Sequence, residues 1–162
     1  MGKKIKPIAD WQFYELYHDD KYIKSHDTRK TVVLKEPKES REYRLINNSE
    51  KDLVVYAIDG GLICRKDISK CDFAIYTEDR VLFLIELKGA EYTHAIEQLL
   101  SSVELLIVRP QVHVDVLNAR VVLSKMRVPD ILSTTEKKLI ANLKKYGRGA
   151  LCKKCRKYEE YL

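Results

Sequence analysis

The hydrophobic period changes several times along the chain, and each change marks an element. Between Ile8 and Tyr22, apolar Trp11, Tyr14, Leu16 and Tyr17 recur at helical spacing behind Asp10, whose carboxylate could accept from the free N–H groups of a first turn; a helix is predicted there. Short β-prone runs follow at Thr31–Leu34, Arg41–Ile46 and Leu53–Ile58, the last stopped by Asp59-Gly60-Gly61. Asp72–Tyr76 and Val81–Lys88 read as two further strands, separated by the polar Thr77-Glu78-Asp79-Arg80. After Gly89 the period becomes 3.6. Ala95, Ile96, Leu99, Leu100, Val103, Leu106 and Ile107 fall on one helical face that ends before Pro110. Ala119–Ser124 reads as a buried strand. Ser133-Thr134-Thr135-Glu136 is a capping box opening a basic helix that Gly147 closes.

Helix, three or four strands, helix, strand, helix predicts an α/β class, or α+β, with a central mixed β-sheet flanked by helices. Repeats and low-complexity tracts are absent, and Gly and Pro together number ten, so nothing marks a boundary. Residues 1–162 are expected to form a single domain, with a basic helix and tail at about 133–162.

Composition narrows the function classes. At 162 residues, 45% hydrophobic and 33% charged, the chain has material for a core and lacks the signature of disorder. Its longest apolar runs, Leu53 to Ile58 and Val81 to Ile85, are six and five residues, against about 20 for a bilayer span. MGKKIKP carries the charge of a leader without an apolar stretch, and Lys6 stands where a myristoylation signal needs Ser or Thr. Membrane, secreted and fibrous classes are set aside, and a cytoplasmic location is expected. The net charge is +6, and nine basic residues with no acidic one lie between Lys137 and Lys157, leaving the rest mildly acidic. A basic patch on such a body suits a polyanion, with Lys144, Lys145, Lys153 and Lys154 as candidate phosphate contacts. A solvated helix is the competing account.

Cys64, Cys71, Cys152 and Cys155 are expected as reduced thiols. Cys152-Lys153-Lys154-Cys155 has zinc-ligand spacing but is half a site; Cys64 and Cys71 would complete it only if the tail folds back.

The chemistry concentrates at one hairpin. Glu86 and Lys88 alternate onto one pleat face of an otherwise apolar strand. If Thr77 and Val81 close a three-residue turn, Asp72 lies directly opposite Glu86; a two-residue turn makes them diagonal neighbours. Buried charges cost several kcal/mol each unless paired. One salt bridge to Lys88 leaves an acid over, and a divalent cation would supply the missing charge, with hard oxygen ligands pointing to Mg²⁺ or Mn²⁺. The E-x-K triplet alone is uninformative, since it also occurs at Glu36/Lys38 and Glu136/Lys138. Only the second copy has an apolar strand around it and an Asp on the strand before.

Asp72, an apolar strand–turn–strand, Glu86-Leu87-Lys88 and an amphipathic helix together resemble the PD-(D/E)xK nuclease superfamily, over about Leu53 to Ser124. The resemblance implies a restriction-endonuclease-like core of order αβββαβ. It implies Mg²⁺ or Mn²⁺ held by Asp72, Glu86 and the Leu87 carbonyl, with Lys88 orienting or activating the attacking water. Gln98 on the following helix would support the site, whereas His94 reads as a polar residue flanking the apolar stripe. An extra acidic ligand on the first helix would be Glu15, with Glu42 and Glu50 as rivals; Asp59 beside its glycines is a further candidate. Cys71 stands where the motif has Pro. The implied activity is metal-dependent hydrolysis of phosphodiester bonds in nucleic acid, DNA before RNA, in defence or repair. The alternative is a catalytically inactive nucleic-acid-binding or protein-interaction module. Small size suits a homodimer or a partner protein that supplies targeting.

Overall fold

The computed structural model describes residues 13–89, 91–125, 129 and 131–162. Helix α1 covers Phe13–Leu16, and a 3₁₀ turn at Asp20–Tyr22 leads into strand β1, Ile23–Asp27. The first helix is therefore shorter than the pattern suggested at its C-terminal end: Asp19 accepts from the Lys21 N–H and starts a new turn. Its proposed start, with Asp10 and Trp11, lies outside the described residues. Strands β2 (Thr31–Lys35), β3 (Glu42–Ile46), β4 (Leu53–Ala57), β5 (Phe73–Thr77) and β6 (Val81–Lys88) follow. Helix α2 covers Tyr92–Val103 and widens into a π-helical stretch at Glu104–Val108 before Pro110. Strand β7 (Val116–Leu123), helix α3 (Thr134–Gly147), and strands β8 (Leu151–Cys155) and β9 (Lys157–Tyr161) complete the chain.

The fold is mixed α/β. Its six-stranded sheet has the order β1-β4-β5-β6-β7-β8. The strands from β1 to β6 pair antiparallel with their neighbours, and β6, β7 and β8 run parallel. A second sheet, β2-β3-β9, covers one face of the first. Helices cover the other face.

Side-chain alternation divides the core accordingly. Leu82 and Leu84 of β6, Ala74 and Tyr76 of β5 and Val121 of β7 meet Ala95, Ile96 and Leu99 of α2 and Leu139 and Leu143 of α3. The intervening Phe83, Ile85, Leu87, Phe73 and Ile75 meet Val32, Leu34, Tyr43, Leu45 and Tyr158 of the small sheet. This is why β6 is apolar on both pleat faces. Arg120 on that second side is buried, its Nε donating to Glu160 at 2.8 Å, and the Tyr43 hydroxyl donates to the same carboxylate. That cluster ties β9 to the main sheet.

After the basic helix, the tail forms β8, an edge strand of the main sheet, and β9, an edge strand of the small one. Gly147 is the last residue of α3, but the left-handed cap is Arg148, at φ 53°. A Cβ at Gly147 or Gly149 would run into the Leu117 backbone, so both positions need glycine for the approach of α3 to β7.

Candidate functional site

The β5–β6 ladder pairs Phe73 with Ile85, so its continuation sets Asp72 opposite Glu86. The three-residue connection Glu78-Asp79-Arg80 fixes this register. Arg80 takes a left-handed conformation at φ 64°, and its N–H donates to the Thr77 carbonyl at 2.9 Å. Both acids point to the helix-covered face, at the end of β6 that leads to α2.

Asp72 is held from three directions. Its carbonyl accepts from the Ile58 N–H at 2.9 Å, beyond the end of β4. The Leu87 N–H donates to its Oδ2 at 2.9 Å, while the Leu87 side chain packs on the opposite face. Helix α2 fixes the preceding residues: Gln98 Nε2 donates to the Lys70 carbonyl at 3.0 Å, and the Cys71 N–H donates to Ser102 Oγ at 2.9 Å. Gln98 and Ser102 are four apart and share a helix face. Gln98 therefore acts on the segment that carries Asp72. Ser102 was missed in the sequence, where it is one more polar residue beside an apolar stripe.

The electrostatics are those of two acids short of a partner. Glu86 is 2% exposed and its Oε2 has no hydrogen-bond partner among the described residues. Burial first, then the Asp72 carboxylate, push its pKa up to about 9. Asp72 is pushed up to about 6, chiefly by burial, with the Leu87 N–H pulling it back and Glu36 and Asp59 adding to the rise. Lys88, half-buried, lowers both without forming an ion pair to either among the described residues. The salt-bridge account of these charges therefore lacks its bridge.

Other candidates are placed as follows. Asp59 adds to the field at both acids and lies 3.7 Å from Lys70. Glu15 is exposed on α1 and acts on Tyr76, near the turn at the other end of the hairpin. Glu42 faces Arg44 and Lys157, and Glu50 faces Lys30. The structure does not bring these three glutamates to the acid pair. Glu36, unremarked in the sequence as a site residue, is coupled to Asp72 because the end of β2 passes nearby. His94 is exposed, 3.7 Å from Glu91. It lines, with Asp59, Lys66, Lys70 and Gln98, a cleft of about 570 Å³ beside the acids. A larger cavity, about 920 Å³, lies at the opposite end of β7 against Lys145 and Arg148.

The lysines of the basic tail separate. Lys144 and Lys145 are exposed near the C-terminus of α3. Lys153 turns to the helix side, over the Tyr92 ring at 4.8 Å, and Lys154 to the other face, over Tyr158 at 4.7 Å. The cysteines separate too. Cys152 and Cys155 are three apart on a strand, which sets them on opposite pleat faces. Cys71 is buried in the helix-side core, Cys152 packs on the small-sheet side, and Cys64 and Cys155 are exposed. A zinc site using all four is not assembled.

Among the described residues, no three His, Cys, Asp or Glu side chains gather as a metal cage. The acid pair still fits one kind of ion. Mg²⁺ is commonly held by one or two carboxylates, with waters and substrate phosphates completing its shell, and the unpartnered Glu86 Oε2 beside Asp72 offers hard, anionic oxygen donors. No helix among the described residues is long and apolar enough to cross a membrane. The chain matches no protein-family model, no curated protein and no solved structure.

Proposed function

We propose that the protein is a metal-dependent nuclease that hydrolyses phosphodiester bonds, with Asp72, Glu86 and the Leu87 carbonyl as ligands for Mg²⁺ or Mn²⁺. The observation that carries this reading is the Glu86 carboxylate: buried, with an Oε2 that has no partner among the described residues, and beside a second acid. A fold keeps such a pair at a cost of several kcal/mol unless a cation offsets it.

A divalent cation there would polarise the scissile phosphate and lower the barrier to attack by water. The Leu87 N–H orients the Asp72 carboxylate, and Gln98 and Ser102 fix the segment that carries it. Lys88 stands near both acids without an ion pair among the described residues, and its ammonium would stabilise charge developing on phosphate oxygens. DNA is the preferred substrate class, with RNA as the comparison, and a partner protein or a second copy would supply targeting.

A second reading has its own observation. With Glu86 at about 9, the acid stays protonated and neutral at neutral pH without metal, which suits a non-catalytic binding module. Labelled single- and double-stranded DNA and RNA, incubated with Mg²⁺ or Mn²⁺ and with EDTA, separate the two. Metal-dependent cleavage that Lys88→Ala removes is the expected result. Binding without cleavage, unchanged by EDTA, would select the module.

A further inference from the structure

Three polar side chains outside the acid pair meet at the same end of the sheet. Glu86 is in register with Val121 on β7, and Val121 with Lys153 on β8. Residues aligned in this way on parallel strands point to one face, and Val121 packs in the helix-side core. Lys153 thus lies on the face of Glu86, two strand spacings or about 10 Å across the sheet. Its Nζ sits 4.8 Å from the centre of the Tyr92 ring, 3.4 Å from the Tyr92 hydroxyl and 3.9 Å from the Glu136 carboxylate. Tyr92 opens α2, just after the Glu86-Leu87-Lys88 strand, and Glu136 is in the first turn of α3.

Tyr92 and Glu136 are both buried, and the Tyr92 hydroxyl donates to the Glu136 carboxylate. A Glu at this place in a capping box commonly reaches back to the cap residue. Here the Glu136 N–H donates to Ser133 Oγ, while the carboxylate goes to Tyr92 and Lys153. Two helices thus present an aromatic face and a buried carboxylate to one lysine, which orders its long stem in advance. The Lys153 side chain nonetheless keeps 34% of its exposure, and the Tyr92 hydroxyl takes one of three ammonium N–H groups. The other three candidate phosphate contacts do not share this placement: Lys154 is on the opposite face, and Lys144 and Lys145 sit toward the far end of a helix about 20 Å long.

We propose that Lys153, positioned by Tyr92 and Glu136, binds a backbone phosphate flanking the one cleaved at Asp72 and Glu86. The assignment rests on the nuclease reading and makes Lys153 the positioning residue of the basic tail. A separation of about 10 Å corresponds to about three nucleotides of rise along one strand, so one bound strand reaches both places.

The test uses the whole chain in EDTA, which stops cleavage, titrated with a fluorescein-labelled DNA duplex and its single strand over a range of salt. Lys153→Met keeps the apolar stem against Tyr92 and removes the charge. It should flatten the slope of log affinity against log salt by about 0.9 on the duplex, or about 0.7 on the single strand. Lys154→Met should leave the slope unchanged, and Lys153→Arg should restore it. Should Lys153→Met fail to fold, Lys153→Gln, which keeps a donor for Tyr92 and Glu136, carries the same expectation. A wild-type slope in the neutral Lys153 variant, or an equal loss in Lys154→Met, overturns the assignment alone. Absence of wild-type binding to either DNA probe and to RNA of the same sequence overturns it together with the nuclease reading.

Discussion

Replacing Glu86 by Gln should remove a pH dependence of stability that the metal-free protein carries. Glu86 is pushed from an ordinary 4.5 up to about 9, and Asp72 from 3.8 up to about 6. Both folded values are raised, so the folded chain holds a proton on the pair that the unfolded chain has already released. The stability this represents is complete below the unfolded value and is lost as pH rises through the folded one. One extra bound proton corresponds to about 1.4 kcal/mol per pH unit. Between about pH 6 and pH 8, inside the Glu86 window and above most of the Asp72 one, stability should therefore fall by about 3 kcal/mol. That is a large share of the roughly 5–15 kcal/mol available to a domain. Urea unfolding in EDTA, followed by circular dichroism at several pH values, measures it. The difference between wild type and Glu86→Gln at each pH isolates the group from other titrations. A difference that stays constant across the range would mean that Glu86 is ionised and solvated, and the case for a cation site would fall with it.

Added Mg²⁺ should raise the melting temperature of wild type, more at pH 8 than at pH 6 because it displaces a proton, the stabilisation being about 2.7 kcal/mol at a hundredfold excess over its dissociation constant. Asp72→Ala and Glu86→Ala should each abolish the rise and the calorimetric binding while remaining folded; unfolding of both would restore a structural role for the charges. Gly149→Ala should cost about 3 kcal/mol or more in urea unfolding, because its Cβ would overlap the Leu117 carbonyl and the contact is backbone on both sides; a loss below about 1 kcal/mol would show that α3 can shift on β7. A thiol reagent applied to the native protein should label Cys64 and Cys155 promptly and Cys71 only on unfolding, since burial excludes reagent and raises its pKa. Prompt labelling of Cys71 would contradict its placement under α2.

Elements that bury their own faces were legible in the residues. The β6 strand is apolar on both sides because a helix layer and a second sheet cover it, and α2 shows its period because its stripe lies on that same sheet. The sequence left the hairpin register between two turn lengths, and the three-residue turn that forms decides it, setting Asp72 opposite Glu86. The edge strands β1, β8 and β9 were not legible, unlike β2, which is also an edge. Strand β1 reads IKSHD and β8 LCKKC, and neither buries a full face, so no alternation betrays them; what holds each is the hydrogen-bonding edge of β4 or β7. That pairing had further consequences that composition could not supply. A run of lysines became residues on two faces and at two ends of the sheet, a CxxC spacing became two thiols facing apart, and Lys153 came into register with Glu86. The field around Asp72 likewise includes Glu36, just past the end of β2 and far back in the chain. Local periodicity records how an element meets its own core, whereas the neighbours of a charge are set by long-range strand pairing, which leaves no period in the sequence.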